Sequence, residues 1–215
     1  MADPLLILGT GVFAEEVADL VADMDQWVVE AFVEGLDRAR CAALLLGRPI
    51  LWIDDVSARR SSAHAVCAVG SPARRAFIAQ AASAGVAFTS LVHPSARVPA
   101  SAVVEPGAII SAGVVLGAQA RIREHAILNR GCLVGHHVEV GPYATLGPGC
   151  NIGGLTRVGE ACAIGMGAIV LDRLSLGAGA SVGAGALVTR DVGERTRVVG
   201  SPARVVRTDP PGDAA

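Results

Sequence analysis

The chain has 215 residues, room for one or two domains, with 18 basic side chains, all Arg, against 20 acidic ones and a net charge of −2. That balance excludes a sequence-wide basic footprint for nucleic acid. Apolar residues reach 52%, much of it Ala, yet no run of about 18 or more apolar residues exists to span a bilayer. The opening Met1-Ala2-Asp3-Pro4 lacks the basic region of a signal peptide, so a cytoplasmic protein with no membrane partner is expected. The five cysteines, Cys41, Cys67, Cys132, Cys150 and Cys162, show no CxxC spacing. Cys132 and Cys150, eighteen residues apart, are expected in a reducing compartment to form a buried column of small side chains and not a disulfide.

Residues 1–88 alternate strand and helix patterns. Leu5-Leu6-Ile7-Leu8 reads as a buried strand, and Phe13, Val17, Leu20, Val21 and Met24 mark one face of a helix. Trp27 to Val33 is a second strand, Pro49-Ile50-Leu51 a third and Ala63 to Val69 a fourth. A helix follows Gly70-Ser71-Pro72 and stops at Gly85. This order predicts a small parallel sheet in an α/β, Rossmann-like domain. Gly9-Thr10-Gly11-Val12-Phe13-Ala14 reads G-x-G-x-x-A between the first strand and its helix, a loop that presents backbone N–H groups to a phosphate. Glu34, at the end of the second strand, is the candidate partner for a ribose hydroxyl, and Arg75 the candidate for a phosphate. The domain is too short for a six-stranded dehydrogenase sheet, so a nucleotide or nucleotide-linked sugar is the better ligand.

From Val98 to Val188 every sixth residue is Val, Ile or Leu, sixteen in succession. A period of six fits neither a helix nor an ordinary strand, but it fits a hexapeptide parallel β-helix with three faces per coil. Four residues after each aliphatic position the side chain is nearly always small, as at Ala108, Ala120, Cys132, Cys150 and Cys162. One residue after it Gly recurs, as at Gly117, Gly135, Gly153 and Gly165, which predicts a corner with positive φ there. A full turn takes eighteen residues, so residues eighteen apart stack at about 4.7–4.9 Å. The helix is expected over 89–207, followed by a disordered tail over 208–215.

Eighteen-residue stacking turns the repeat into a coordinate system. Two residues after each aliphatic position lie outward corner residues. One edge carries Ala118, His136, Gly154 and Asp172; another carries Arg130, Pro148, Met166 and Ala184. An outward imidazole at His136 is available as a general base near neutral pH. Gly154 lies one coil on, with no side chain to cover its N–H. A base beside an open amide donor is the minimum equipment for acyl transfer. His137 is placed to orient His136 or to meet substrate, or else is a plain turn residue. A three-His metal site needs convergent imidazoles. Here two His are adjacent and His125 is eleven residues away, so no metal is expected. His93, before Pro94, reads as structural.

Gly9-Thr10-Gly11 after a strand, His93-Pro94-Ser95-Ala96 at the start of the repeats, the stretch NRGCLVGHH from Asn129 to His137, and Gly200-Ser201-Pro202-Ala203-Arg204 together resemble the sialic acid O-acetyltransferase family, which includes the UDP-amino-sugar N-acetyltransferases. The resemblance covers residues 5 to about 206. It implies a left-handed β-helix, a homotrimer, and acetyl-CoA as co-substrate in the groove between two prisms. His136 matches the catalytic base and Gly154 the amide at the thioester. Met166 and Ala184 match backbone positions along the pantetheine. Gly200, Pro202 and Arg204 match the segment near the nucleotide end of CoA. The N-terminal glycine loop matches the site for the sugar's nucleotide. Two positions depart from the pattern: members commonly have Asp or Glu where this chain has His137, and some carry a His where it has Thr145.

The expected function is therefore acetyl transfer from acetyl-CoA to an amino group of a sugar, nucleotide-linked, in bacterial glycan synthesis. O-acetyl transfer to a free sugar, or transfer to another small hydroxyl or amine acceptor, is an alternative, and a non-catalytic trimeric scaffold or sensor is the reading from another class.

Overall fold

A computed structural model describes residues 2–58, 64–71 and 74–210. The chain divides into two compact units, Met1–His93 and Pro94–Ala215.

The first unit is built on a sheet. Its strands are β1 (Asp3–Leu8), β2 (Trp27–Glu34), β3 (Leu44–Leu45), β4 (Arg48–Trp52), β5 (His64–Cys67) and β6 (Ala87–Phe88). Helices α1 (Val12–Ala22) and α2 (Arg74–Ser83) connect them. The sheet order is β3-β4-β2-β1-β5-β6, parallel except for the β3–β4 hairpin; it reaches six strands, against the expectation from the domain's length, because β3 and β6 are only two residues long. Central β1 has no exposed residue from Leu5 to Leu8, as a continuous apolar run predicts for a strand covered on both faces. The α1 stripe Ala14, Val17, Ala18, Leu20 and Val21 is buried, which is the apolar face the sequence marks. Gly85 takes φ +83 beyond α2 and ends it. Ala63 of the expected fourth strand, and Pro72 of the turn after it, lie outside the described residues. The hairpin, the short strand β6 and a 3-10 turn over Arg38–Ala42 have no periodic signal in the sequence, because each is shorter than one repeat of either pattern.

The second unit is a parallel β-helix of two-residue strands. Its register is an offset of eighteen: Leu116 pairs with Val134, Val134 with Ile152, Ile152 with Val170 and Val170 with Val188. The fourteen aliphatic repeat residues from Ile110 to Val188 are each at most 3% exposed; Val98 and Val104, at the first coil, are half-buried. The small column is buried beside them. Cysteine serves there because its thiol reaches a carbonyl that Ala cannot: Cys132, Cys150 and Cys162 donate to the carbonyls of Gly147, Gly165 and Gly177 at 3.0–3.2 Å. All five cysteines are free thiols.

The corner glycines have a different cause from the one expected. Positive φ falls three residues after each aliphatic position, at Gln119, His125, His137, Tyr143 and Leu155 as well as at Gly131, Gly149 and Gly167. The glycines one residue after it are required by the next coil instead. A Cβ on Gly117 would stand 2.5 Å from the His136 nitrogen, and one on Gly135 would stand 2.6 Å from the Gly154 nitrogen. Coils at strand spacing leave no space for that atom.

The stack continues past Thr189. Thr196–Val199 pairs in parallel with Ser181–Val182, and Arg204–Thr208 folds back antiparallel on it. Thr208, expected in a disordered tail, is therefore a ladder residue, and the Asp209 N–H donates to the Arg195 carbonyl at 3.0 Å. Residues 211–215 lie outside the described residues.

Candidate functional site

Two features of the two units carry chemistry. The first is the edge of the β-helix at His136. The coil holds its backbone from both sides: the Leu155 N–H donates to the His136 carbonyl at 2.9 Å, and the His137 N–H donates to the Ala118 carbonyl at 2.8 Å. The His136 ring is exposed and extends over the next coil. A Cβ on Gly154 would be 2.7 Å from Nε2 and 2.9 Å from Cε1, so only glycine admits the ring there. The other ring nitrogen, Nδ1, is 3.2 Å from Nδ1 of His137, with the two rings nearly perpendicular at 85°. One proton fits between two neutral imidazoles. With that proton on His136 Nδ1, Nε2 keeps its lone pair over Gly154.

Corner amides are left open by the fold itself. The backbone N–H groups of His136, Gly154, Met166 and Ala184 have no acceptor among the described residues. Met166 and Ala184 are exposed and stack on a different edge from His136. At the end of the unit, Gly200 takes φ +95 and its carbonyl accepts from Leu187 at 3.0 Å. Pro202 follows in a cis peptide, and Arg204 is exposed at the start of the last strand. The remaining histidines are placed otherwise. His125 is buried and stacked on Tyr143, with centroids 5.3 Å apart. His93 Nε2 is 3.0 Å from Oδ2 of Asp23. Among the described residues no group of three His, Cys, Asp or Glu is arranged to hold a metal ion.

The second feature is a cavity of about 700 Å³ in the first unit, lined by the Gly9–Phe13 loop, by Glu34 to Asp37, by Arg40, and by Phe77 and Gln80 of α2. Gly9 is needed by the fold: its φ is +116 and a Cβ would meet the Ala68 carbonyl oxygen at 3.1 Å. Gly35 is needed for packing, since a Cβ would meet Phe77 Cε2 at 2.7 Å. Gly11 is different. It caps α1 with φ −89 and no side-chain cap bond, and a Cβ on it meets nothing within 4 Å.

Glu34 is 6% exposed. Its Oε1 accepts from the N–H groups of Gly35 and Leu36 at 2.9 and 2.8 Å. Its Oε2 accepts from the Thr10 hydroxyl. Burial on its own pushes the Glu34 carboxyl up; the hydrogen bonds from Thr10 and from the backbone of Leu36, Gly35 and Asp37 outweigh it and hold the carboxyl below its ordinary value. Arg40 Nη1 donates to Thr10 Oγ1 at 2.7 Å and lies 3.4 Å from Glu34 Oε2. Arg75 is exposed on α2 and is not among the cavity's lining residues. Arg40 was not singled out from the sequence. It sits in the 3-10 turn, thirty residues from Thr10, and nothing local marks it.

No family model and no curated protein matches the sequence. Solved structures do. The acetyltransferase domain of PglB from Neisseria gonorrhoeae, in complex with acetyl coenzyme A, is 27% identical and covers 96% of this chain and 100% of its own, with a TM-score of 0.87. PerB from Caulobacter crescentus, in complex with CoA and GDP-perosamine, is 28% identical over 95% of this chain and 97% of its own, with a TM-score of 0.86. WeeI from Acinetobacter baumannii, at 24% identity over 94% of this chain and 99% of its own with a TM-score of 0.81, shares the fold. The chain is thus, along nearly its whole length, a structural relative of the hexapeptide-repeat sugar N-acetyltransferases.

Proposed function

We propose that this protein transfers an acetyl group from acetyl-CoA to an amino group of a nucleotide-linked sugar, with His136 as the general base. The observation that carries this reading is the His136–Gly154 pair: the exposed ring's Nε2 lies against Gly154, whose backbone N–H has no acceptor among the described residues. The matched structures hold acetyl-CoA, or CoA with GDP-perosamine, which supports the donor and the acceptor class.

In this reading the amine attacks the thioester carbonyl. His136 Nε2 takes the proton the nitrogen loses as the N–C bond forms, and the Gly154 N–H steadies the developing oxyanion. The C–S bond breaks, and the imidazolium returns its proton to the departing sulfur. No covalent intermediate on the enzyme is required. His137 accepts from His136 Nδ1–H and so selects the tautomer. A neutral imidazole supports the imidazolium less than a carboxylate would.

The open amides of Met166 and Ala184 suit a pantetheine laid along that edge, with Gly200, Pro202 and Arg204 toward its nucleotide end. One face of the prism supports self-association. Its outward column reads Val115, Leu133, Asn151, Ile169 and Leu187, with Leu133 45% and Ile169 44% exposed. The matching column on another face reads Arg121, Glu139 and Arg157. An apolar column next to the His136 edge fits a homotrimer of left-handed β-helices whose groove holds CoA. The first unit is read as a Rossmann-like nucleotide-sugar domain, with the Gly9, Thr10 and Gly11 loop at its ligand and Glu34 lining the same cavity. Free buried cysteines fit a cytoplasmic protein.

Thiol release from acetyl-CoA, measured over a panel of UDP-, GDP- and dTDP-linked amino sugars and free sugars, tests the reading. Turnover with a nucleotide-linked amino sugar, lost in His136→Ala while CoA still binds, is expected. An unchanged rate in that variant removes His136 as the base; turnover on hydroxyl acceptors alone makes the protein an O-acetyltransferase.

A further inference from the structure

We propose that Arg40 is the anion anchor of the first unit's cavity and holds the diphosphate of the nucleotide-linked acceptor, while Glu34 positions it and does not bind ligand. This rests on the nucleotide reading above.

Three independent observations meet at one place. The cavity is about 700 Å³, within the range of small-molecule sites. Arg40 is the one cationic side chain among its described lining residues. It is half-exposed, and among the described residues only its Nη1 is engaged, on Thr10 and Glu34. A guanidinium has five N–H donors in a fixed fork, so most of them stay available to phosphate oxygens. Gly11 supplies the third observation. Neither its φ of −89 nor its surroundings require glycine, yet it stands at the uncapped start of α1 and lines the cavity. A residue with no packing reason to lack a side chain, beside unpaired helix-terminal N–H groups, leaves room for close approach of an anion.

Glu34 is ill-suited to a ribose hydroxyl. Oε1 already takes two short backbone bonds and Oε2 takes the Thr10 hydroxyl, inside a 6% exposed side chain. Its bonds converge on Thr10, and Thr10 accepts from Arg40 at 2.7 Å. The carboxylate therefore fixes the hydroxyl, and the hydroxyl fixes the guanidinium over the glycine loop. At the rim, Leu36 is 97% and Val12 84% exposed. Both are apolar groups left in water beside the cavity, suited to the flat face of a nucleobase.

Calorimetric titration of the full chain with UDP, GDP and dTDP, and with the matching nucleosides, tests the assignment. Wild type should bind at least one diphosphate more tightly than its nucleoside. Arg40→Gln should weaken that diphosphate roughly tenfold or more, the loss of a charge-assisted pair, and leave the nucleoside unchanged. Arg40→Lys should recover part of the loss, and Glu34→Gln should weaken the diphosphate less than Arg40→Gln does. Undiminished diphosphate binding by Arg40→Gln overturns the assignment and leaves the nucleotide reading intact. An equal loss for nucleoside and diphosphate in both Arg40→Gln and Arg40→Lys also overturns it. If wild type binds none of the three diphosphates, the nucleotide reading itself falls.

Discussion

The imidazole of His136 occupies the space where Gly154 would carry a Cβ, 2.7 Å from Nε2. His136 and Gly154 thus meet between consecutive coils, eighteen residues apart. Gly154→Ala should displace the ring and lower kcat by about 10²-fold or more, a scale typical of losing a positioned base. The fold should survive, since the alanine methyl meets an exposed, movable side chain and not backbone. Steady-state kinetics together with circular dichroism checks this; a fully active Gly154→Ala would show that the contact is incidental.

His137 has φ +57, a conformation that Asn tolerates better than most residues. His137→Gly, better suited still to that φ, should therefore fold normally while removing the Nδ1 partner of His136. A drop in kcat of roughly tenfold, with KM for acetyl-CoA little changed, is expected if His137 orients the base. Comparison of kcat and KM for the two proteins decides it, since a purely structural residue would change neither.

The two loop glycines should behave in opposite ways. Gly9→Ala forces a side chain into φ +116 against the Ala68 carbonyl and should cost about 1–3 kcal/mol of stability. Gly11→Ala has open space and an ordinary φ, and should cost less than about 1 kcal/mol, yet weaken nucleotide binding. Denaturation midpoints and calorimetry on both variants check the pair.

Glu34 links stability to acid pH. Its folded carboxyl is held below the ordinary 4.5, so its stabilisation is present in full above about that pH and is lost as pH falls through the folded value. Glu34→Gln should be less stable than wild type by about 1–3 kcal/mol at pH 7. The gap should narrow below pH 4.5. Urea midpoints of both proteins, at neutral pH and in acid, measure it.

Much of this protein was legible as sequence, because repeats carry their own geometry. An aliphatic residue every sixth position, with a small one four later, can be buried in only one kind of prism. That pattern by itself places His136 beside Gly154 and sets the eighteen-residue register. The strands and helices of the first unit were equally readable from their periodicity, and the glycine loop from its position after β1. What stayed hidden depends on contacts between residues far apart in the chain. The glycines one residue after each aliphatic position answer to the backbone of the next coil, not to their own φ. Thr208 is held by pairing with Thr196, although the tail-like composition begins at that residue. Above all, the cavity's charge is arranged by tertiary structure. Arg40 reaches Thr10 across thirty residues, Glu34 is occupied by its own loop, and Arg75 stands outside. Periodicity specifies which face of an element is buried; only the folded chain specifies which polar atoms meet, because hydrogen bonds and charges act over a few ångströms and have no repeat.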